Sequence, residues 1–416
     1  MERQHTFIYY FQEERMKAFL ILEDGTVFKG NAIGAKKEVI SEIVFNTSMA
    51  GYTEVFTDPS YAGQAVCMTY PLIGNYGVCR DDMESERIWL DGVIVRELSD
   101  VASNFRCDMT IQEFLEEYEI PGIEGIDTRK LVRILREKGT MNGMITTNEN
   151  YNVDEIIPKL KAYTTGKVVE KVSCKEKKEI TGSKDLAENG PLSGSAVFNK
   201  DDFEASLKGD LSKREKRPSL VKELNGKGLK VALLDVGAKD NIAASLAARG
   251  CDVTVYPYNT TAEEILEGNP DGIMLSNGPG DPKECTGVIE EIKKLYASDV
   301  PIFAICLGHQ LMALATGADT YKMKYGHRGG NHPVKDLETG RVYISSQNHG
   351  YVVDTDKLDP QVAVPAFVNV NDGTNEGLKY VGKNIFTVQF HPEACCGPQD
   401  SGYLFDRFIG MMCAKQ

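Results

Sequence analysis

The apolar positions of this chain follow two rhythms that change over near residue 228. In the first half they alternate over short stretches. Ala18-Phe19-Leu20-Ile21-Leu22, the turn pair Asp24-Gly25 and Thr26-Val27-Phe28 predict a hairpin over residues 16–33. Short apolar runs recur at 43–45, 65–68 and 92–95, punctuated by Gly, Pro and Asn. Helical spacing appears at about 110–118 and 127–138; the second run opens on Asp127 and Thr128 as capping candidates and stops before Gly139. From Gly228 onward, continuous apolar runs at 230–235, 252–256, 272–275 and 301–305 alternate with helical patterns at 241–249, 261–266 and 287–296. Buried parallel strands joined by crossover helices produce that alternation. The fold class expected is α/β: an N-terminal α+β domain over 16–173, then a doubly wound, mostly parallel sheet over 229–416. Between them, residues 174–228 hold charge clusters at 175–179 and 213–217 with few large apolar residues. A solvated linker is expected there, helical at most over 201–207.

Composition narrows the class. At 416 residues the chain exceeds one ordinary core, so two domains are the natural division. A net charge of −14 excludes a general nucleic-acid binder, which needs a basic face to neutralise phosphates. The ten cysteines follow no repeating frame and form no C-x-x-C pair, which points to reduced thiols and a cytoplasmic setting. No run approaches the length of a membrane span. The apolar stretch Thr6-Phe7-Ile8-Tyr9-Tyr10-Phe11 is short and closed by Glu13-Glu14-Arg15, unlike a signal peptide, so residues 1–15 read as an extension.

Candidate chemistry concentrates in the second half. Cys306 ends the apolar run Pro301-Ile302-Phe303-Ala304-Ile305, and helix-forming residues begin at Gln310. A residue held between strand end and helix start occupies a tight turn with its side chain pushed out, the arrangement of a nucleophile elbow. Unpaired N–H groups at a helix start favour a thiolate. A cysteine after an apolar strand is by default a small buried hydrophobe. Here Phe390-His391-Pro392-Glu393 changes the balance: residues two apart on an extended segment share a face, so Glu393 can steer the His391 ring. Cysteine, histidine and an orienting acid form the triad of acyl transfer. Ser276-Asn277-Gly278-Pro279-Gly280-Asp281-Pro282 follows another strand and lets the backbone approach a ligand, so that Gly280 N–H and Leu307 N–H can form an oxyanion hole. Ser345-Ser346-Gln347-Asn348-His349-Gly350-Tyr351 is a candidate polar substrate loop. Five of the six histidines lie in the last third, but their spacing matches no zinc motif and no carboxylates are arranged around them in sequence; no metal is expected. His309 is expected to be a packed helix residue. The basic stretch Lys322, Lys324, His327, Arg328, His332 and Lys335 is expected to be a solvated loop.

Ile-Cys-Leu-Gly-His-Gln, Ser-Asn-Gly-Pro-Gly-Asp-Pro and Phe-His-Pro-Glu together resemble a class I glutamine amidotransferase domain over roughly residues 229–416. Val44-Phe45-Asn46-Thr47-Ser48-Met49-Ala50-Gly51-Tyr52, Thr57-Asp58-Pro59-Ser60-Tyr61, Ile126-Asp127-Thr128-Arg129-Lys130-Leu131 and Gly326-His327-Arg328-Gly329-Gly330-Asn331-His332 are similar to the small subunit of carbamoyl phosphate synthetase. The departures are the first fifteen residues, the charged linker, and Ala304 where that family usually has glycine. The resemblance implies glutamine hydrolysis by Cys306, His391 and Glu393. It also implies a glutamine site at Ser60, Gly278, Gly280, Leu307, Gln310, Asn348, Gly350 and Tyr351. It implies a heterodimeric partner, the large subunit that uses ATP and Mg, and carbamoyl phosphate made from bicarbonate for arginine or pyrimidine synthesis. No phosphate-binding G-x-x-x-x-G-K-[ST] run occurs, so no cofactor is expected on this chain itself. The alternatives are the glutaminase chain of a different amidotransferase, or a non-catalytic regulatory scaffold.

Overall fold

The computed structural model describes residues 15–182, 226, 228–394, 397 and 400–414. The expected extension, except Arg15, and most of the expected linker, including 201–207, lie outside the described residues.

The first half is a seven-stranded closed barrel in the order β1 (Lys17–Leu22), β2 (Val27–Gly34), β8 (Pro121–Glu124), β6 (Gly92–Ile94), β4 (Gln64–Met68), β3 (Val39–Asn46), β9 (Met141–Thr146). A two-stranded parallel pair, β5 (Leu72–Ile73) with β7 (Glu97–Leu98), sits apart from it. The α+β reading holds, and closure of the barrel is an addition to it. Period-two alternation explains the layering: Ile43, Phe45, Ala65 and Cys67 join one core, while Val44, Val66 and Met68 join another. Helix Thr128–Lys138 starts where expected, because the Asp127 side chain accepts from Lys130 N–H at 2.9 Å. It stops at Gly139, where φ is +103°.

The second half is one ten-stranded sheet. Its order is β10 (Lys178–Ile180), β12 (Asp252–Pro257), β11 (Lys230–Asp235), β13 (Gly272–Leu275), β14 (Ile302–Ile305), β19 (Ile385–Val388), β18 (Asn375–Tyr380), β17 (Ala363–Asn369), β15 (Asp319–Asp336), β16 (Val342–Asp354). β12, β11, β13, β14 and β19 are mutually parallel. The remaining pairs are antiparallel. Alternate residues of the parallel strands separate into two cores: Ala232, Leu234, Ile302 and Ala304 pack on one face, Val231, Leu233, Phe303 and Ile305 on the other. Helices cover both faces, so the sheet is doubly wound.

Two expectations need correcting. Residues 174–182 are not linker: Cys174 N–H donates to Asp235 Oδ2 at 2.7 Å, and β10 adds an edge strand to β12. The basic stretch and Ser345–Tyr351 are not loops either. They lie in the long antiparallel pair β15–β16, where His327 and Arg328 are buried. Register shifts between Lys322 and His327 and between Gly329 and His332 bend this ribbon, and the glycines that permit the bend gave it the look of a loop. Among the described residues, no helix is long and apolar enough to cross a membrane.

The two halves meet through polar contacts, the first two of them buried. Asn277 Nδ2 donates to Ser60 Oγ at 2.9 Å, and Asn348 Nδ2 donates to Asp58 Oδ2 at 2.9 Å. Asp240 N–H donates to the Glu84 carbonyl at 2.9 Å, and Thr140 N–H to the Lys324 carbonyl at 2.9 Å.

Candidate active site

β14 and β19 run parallel with Ile305 opposite Val388, so both chains leave the carboxyl edge of the sheet side by side. Ligand sites in open α/β sheets form outside that edge. Cys306 is the first residue past β14, and its N–H donates to the Val388 carbonyl at 2.8 Å. Its backbone sits at φ 52°, ψ −105°, strained for a residue with a Cβ, and helix Leu307–Ala315 begins immediately after it. The helix can start so abruptly because position 308 is glycine: a Cβ there would lie 2.6 Å from the Leu275 carbonyl oxygen. Ala304, within β14 two residues before Cys306, is fully buried in the core on one face of the sheet.

His391 lies three residues past β19. Its N–H donates to the Ser346 carbonyl at 2.9 Å, its Nδ1 is 2.7 Å from Glu393 Oε1, and its buried Nε2 has no hydrogen-bond partner. With Nδ1–H directed at the carboxylate, Nε2 is left with its lone pair, the tautomer of a general base. Glu393 is buried as well. Burial alone would raise its pKa, but Lys239 and His391 hold it down to about 2. Lys239 Nζ lies 3.2 Å from Glu393 Oε1 and 3.9 Å from Asp58 Oδ2, and Asn241 Nδ2 donates to the Glu393 carbonyl.

The thiol does not match the expected thiolate. Burial first, then Asp58 and Glu393, push the Cys306 pKa up to about 12, against the opposing pull of Lys239 and the Leu307 N–H. Cys306 Sγ lies 3.8 Å from the Asn348 carbonyl, to which a neutral thiol donates. A helix start cannot outweigh complete burial beside two carboxylates.

A cavity of about 270 Å³ opens over Cys306 between the two halves. Ser60 enters it from the barrel domain, Gly278 and Gly280 from the turn after β13, and Gln310 from the helix. Asn348, Gly350 and Tyr351 enter from β16. Gly280 has φ +92°, the left-handed region that favours glycine. Leu307 differs: its side chain packs into the core, and only its N–H faces the thiol. Gln310 Nε2 donates to the Tyr351 carbonyl at 2.8 Å and to Gln389 Oε1 at 3.0 Å, tying helix, β16 and β19 together.

A family model described as carbamoyl-phosphate synthase small chain, CPSase domain, matches residues 20–145, and one described as glutamine amidotransferase class-I matches residues 232–411. The carbamoyl phosphate synthase small chain of Fusobacterium nucleatum is 47% identical over 94% of this chain and 96% of its own length. That of Clostridium perfringens is 47% identical over 95% and 99%, and that of Listeria monocytogenes serotype 4b is 46% identical over 96% and 98%. The chain belongs to the carbamoyl phosphate synthase small-chain family.

In this small chain the residues that sequence alone passed over are Lys239, Asp58, Asn241 and Asn277. Lys239 follows the carboxyl end of β11, so the rule that locates ligands at that edge was the available signal. Asp58 lies in the Thr57–Tyr61 run that carried the resemblance, but its role at the site was not legible there, because Asn348 and Lys239 reach it from the other domain. The histidines also need a correction. Asp372 Oδ2 lies 2.8 Å from His327 Nε2, and Glu376 Oε1 lies 3.5 Å from His327 Nδ1, so carboxylates do surround this imidazole. Ligand-type atoms of His327, His349 and Glu376 lie within 4.8 Å of one another, with the Gln347 amide hydrogen-bonded to all three. His309 is the packed residue expected, with Nδ1 2.7 Å from Thr387 Oγ1.

Proposed function

We propose that this chain is the glutaminase subunit of carbamoyl phosphate synthetase, with Cys306, His391 and Glu393 as its catalytic triad. The observation that carries the proposal is the strained Cys306 elbow at the floor of the interdomain cavity, beside a buried His391–Glu393 pair whose Nε2 is unengaged. Glutamine is held by Ser60, Gly278, Gly280, Gln310, Asn348, Gly350 and Tyr351. Because the thiol rests protonated, attack is coupled to proton transfer: His391 takes the proton as sulfur adds to the amide carbon. Leu307 and Gly280 N–H groups receive the oxyanion, each contributing roughly 3–4 kcal/mol. His391 returns the proton to the leaving ammonia, then activates water against the thioester; Glu393 holds the ring and balances its charge.

Ammonia set free in neutral water becomes mostly ammonium and loses its nucleophilicity, so the product is passed directly to a partner. That partner is the large subunit, which carries ATP and Mg and builds carbamoyl phosphate from bicarbonate for arginine or pyrimidine synthesis in the cytoplasm. The small-chain name of the relatives supports a larger companion in a heterodimer. The match of the barrel domain to the same family disfavours an amidotransferase of another pathway.

With the partner present, Cys306→Ser should abolish carbamoyl phosphate synthesis from glutamine while synthesis from added ammonium persists. Equal loss of both activities, or glutamine use that survives, overturns the reading.

A further inference from the structure

Beneath β16 lies a polar cluster that the proposed chemistry does not use. β16 alternates in direction: Asn348 turns toward Asp58 and presents its carbonyl to the thiol, while Gln347 turns the other way. The Gln347 amide oxygen accepts from His327 Nδ1 at 3.1 Å and lies 2.8 Å from His349 Nε2, and its NH2 donates to Glu376 Oε1 at 2.9 Å. Asn369 Nδ2 also donates to Glu376 Oε1, at 2.9 Å, and Asp372 Oδ2 accepts from His327 Nε2 at 2.8 Å. Both His327 nitrogens face acceptors, two of them carboxylates, which is the hydrogen-bonding pattern of an imidazolium; the His349 ring also faces two oxygens, the Tyr351 carbonyl at 2.8 Å and Gln347 Oε1, but neither carries a charge. The cluster spans β15, β16, the turn after β17, and β18. It leads to the triad twice more, because Glu376 carbonyl accepts from Gln389 N–H at 2.9 Å and Ser346 carbonyl accepts from His391 N–H.

We propose that His327 is a positioning residue: as a cation clamped between Asp372 and Glu376, it fixes Gln347 and thereby the strand that delivers Asn348 to the thiol and supports His391. The proposal rests on Cys306 being the nucleophile of glutamine hydrolysis. The groups facing His327 are Asp372, Glu376, His349 and His332, with Arg328 adjacent in its own strand. Burial alone would push the His327 pKa down, but the hydrogen bonds to Asp372 and Glu376 outweigh it and bring it up to about 9. Burial keeps His332 down at about 4 and His349 well below its usual value, so both remain neutral neighbours. The sign follows. A histidine raised above its unfolded value of about 6.5 has its clamp complete below that pH. The clamp persists at neutrality and is lost as pH rises through about 9.

The test uses the full chain with histidine carrying a carbon-13 label at ring carbon ε1, and His327→Gln to assign the signal. The assigned ring should titrate near pH 9, and Asp372→Asn, at a half-exposed position whose change leaves the core intact, should move that midpoint toward 7. With the synthetase partner, Asp372→Asn should lower kcat/KM for glutamine roughly ten- to hundredfold at pH 8.5. The loss should shrink toward pH 6.5, where the ring is protonated in both proteins, and ammonium-dependent synthesis should not change. A His327 midpoint at or below 7 in the unaltered chain overturns the inference, as does an Asp372→Asn profile parallel to wild type at every pH. The titration is read without turnover, so it stands apart from the Cys306→Ser result: failure there leaves the ring's charge intact, and failure here leaves the nucleophile intact.

Discussion

At the scale of the residue, Cys306 carries backbone strain at the position of the proposed nucleophile. A non-glycine residue at φ 52°, ψ −105° costs on the order of 1–3 kcal/mol, and the surrounding sheet and helix hold it there. Glycine escapes that cost. Cys306→Gly should therefore be more stable than Cys306→Ala by about 1 kcal/mol in urea unfolding, with both inactive on glutamine; the reverse order would mean that the elbow is unstrained. Glu393 Oε1 pairs with His391 Nδ1 and with Lys239 Nζ inside the protein. Glu393→Gln should lower kcat for glutamine roughly a hundredfold or more, since a neutral amide can leave the ring in the wrong tautomer. Steady-state kinetics with and without added ammonium separates this from misfolding. Cys306, His391 and Glu393 could be picked out as candidates along the chain because their types and order are rare outside such chemistry. The protonation state of the thiol was not legible, because its burial and the nearby charges of Asp58 and Glu393 depend on neighbours that no local pattern names.

At the scale of the element, the elbow depends on how closely the helix after Cys306 approaches β13. A Cβ on Gly308 would meet the Leu275 carbonyl oxygen at 2.6 Å and the Leu275 Cβ at 2.8 Å. Gly308→Ala should cost roughly 1–3 kcal/mol by overpacking, and should lower glutamine turnover by displacing the Leu307 N–H. Differential unfolding and glutaminase rates measured together check this; an unchanged midpoint would show that the helix can shift freely. The parallel strands were legible because strands buried on both faces read as unbroken apolar runs. β15 and β16 were not, because they carry polar residues on both faces: His327 and Gln347 pair with Glu376 of β18 inside the protein, so their polarity imitates exposure. β10 was hidden for a related reason, since Lys178-Glu179-Ile180 is an exposed edge strand paired only on one side.

At the scale of the whole molecule, the cavity exists only because the barrel domain closes against the sheet edge. Asp58 accepts from Asn348 Nδ2 and from Ser60 N–H, and sits 3.9 Å from Lys239 Nζ, so one barrel carboxylate touches three parts of the site. Asp58→Ala leaves the Asn348 amide without its buried acceptor, a loss of roughly 1–3 kcal/mol. The melting temperature should drop and KM for glutamine should rise more than kcat falls. A variant with unaltered KM would show that the barrel merely covers the site.

The sequence by itself determined the two-domain plan, the barrel hairpin, the parallel core strands, and the candidate residues of the proposed triad with their glycine-rich turn, because periodicity and local chemistry are properties of neighbours along the chain. Tertiary structure alone decided that the thiol is held neutral, that Lys239 and Asp58 stand beside Glu393, and that the histidines gather around Gln347. Burial and charge pairing are set by residues distant in sequence, and only the folded chain brings them within a few ångströms of one another.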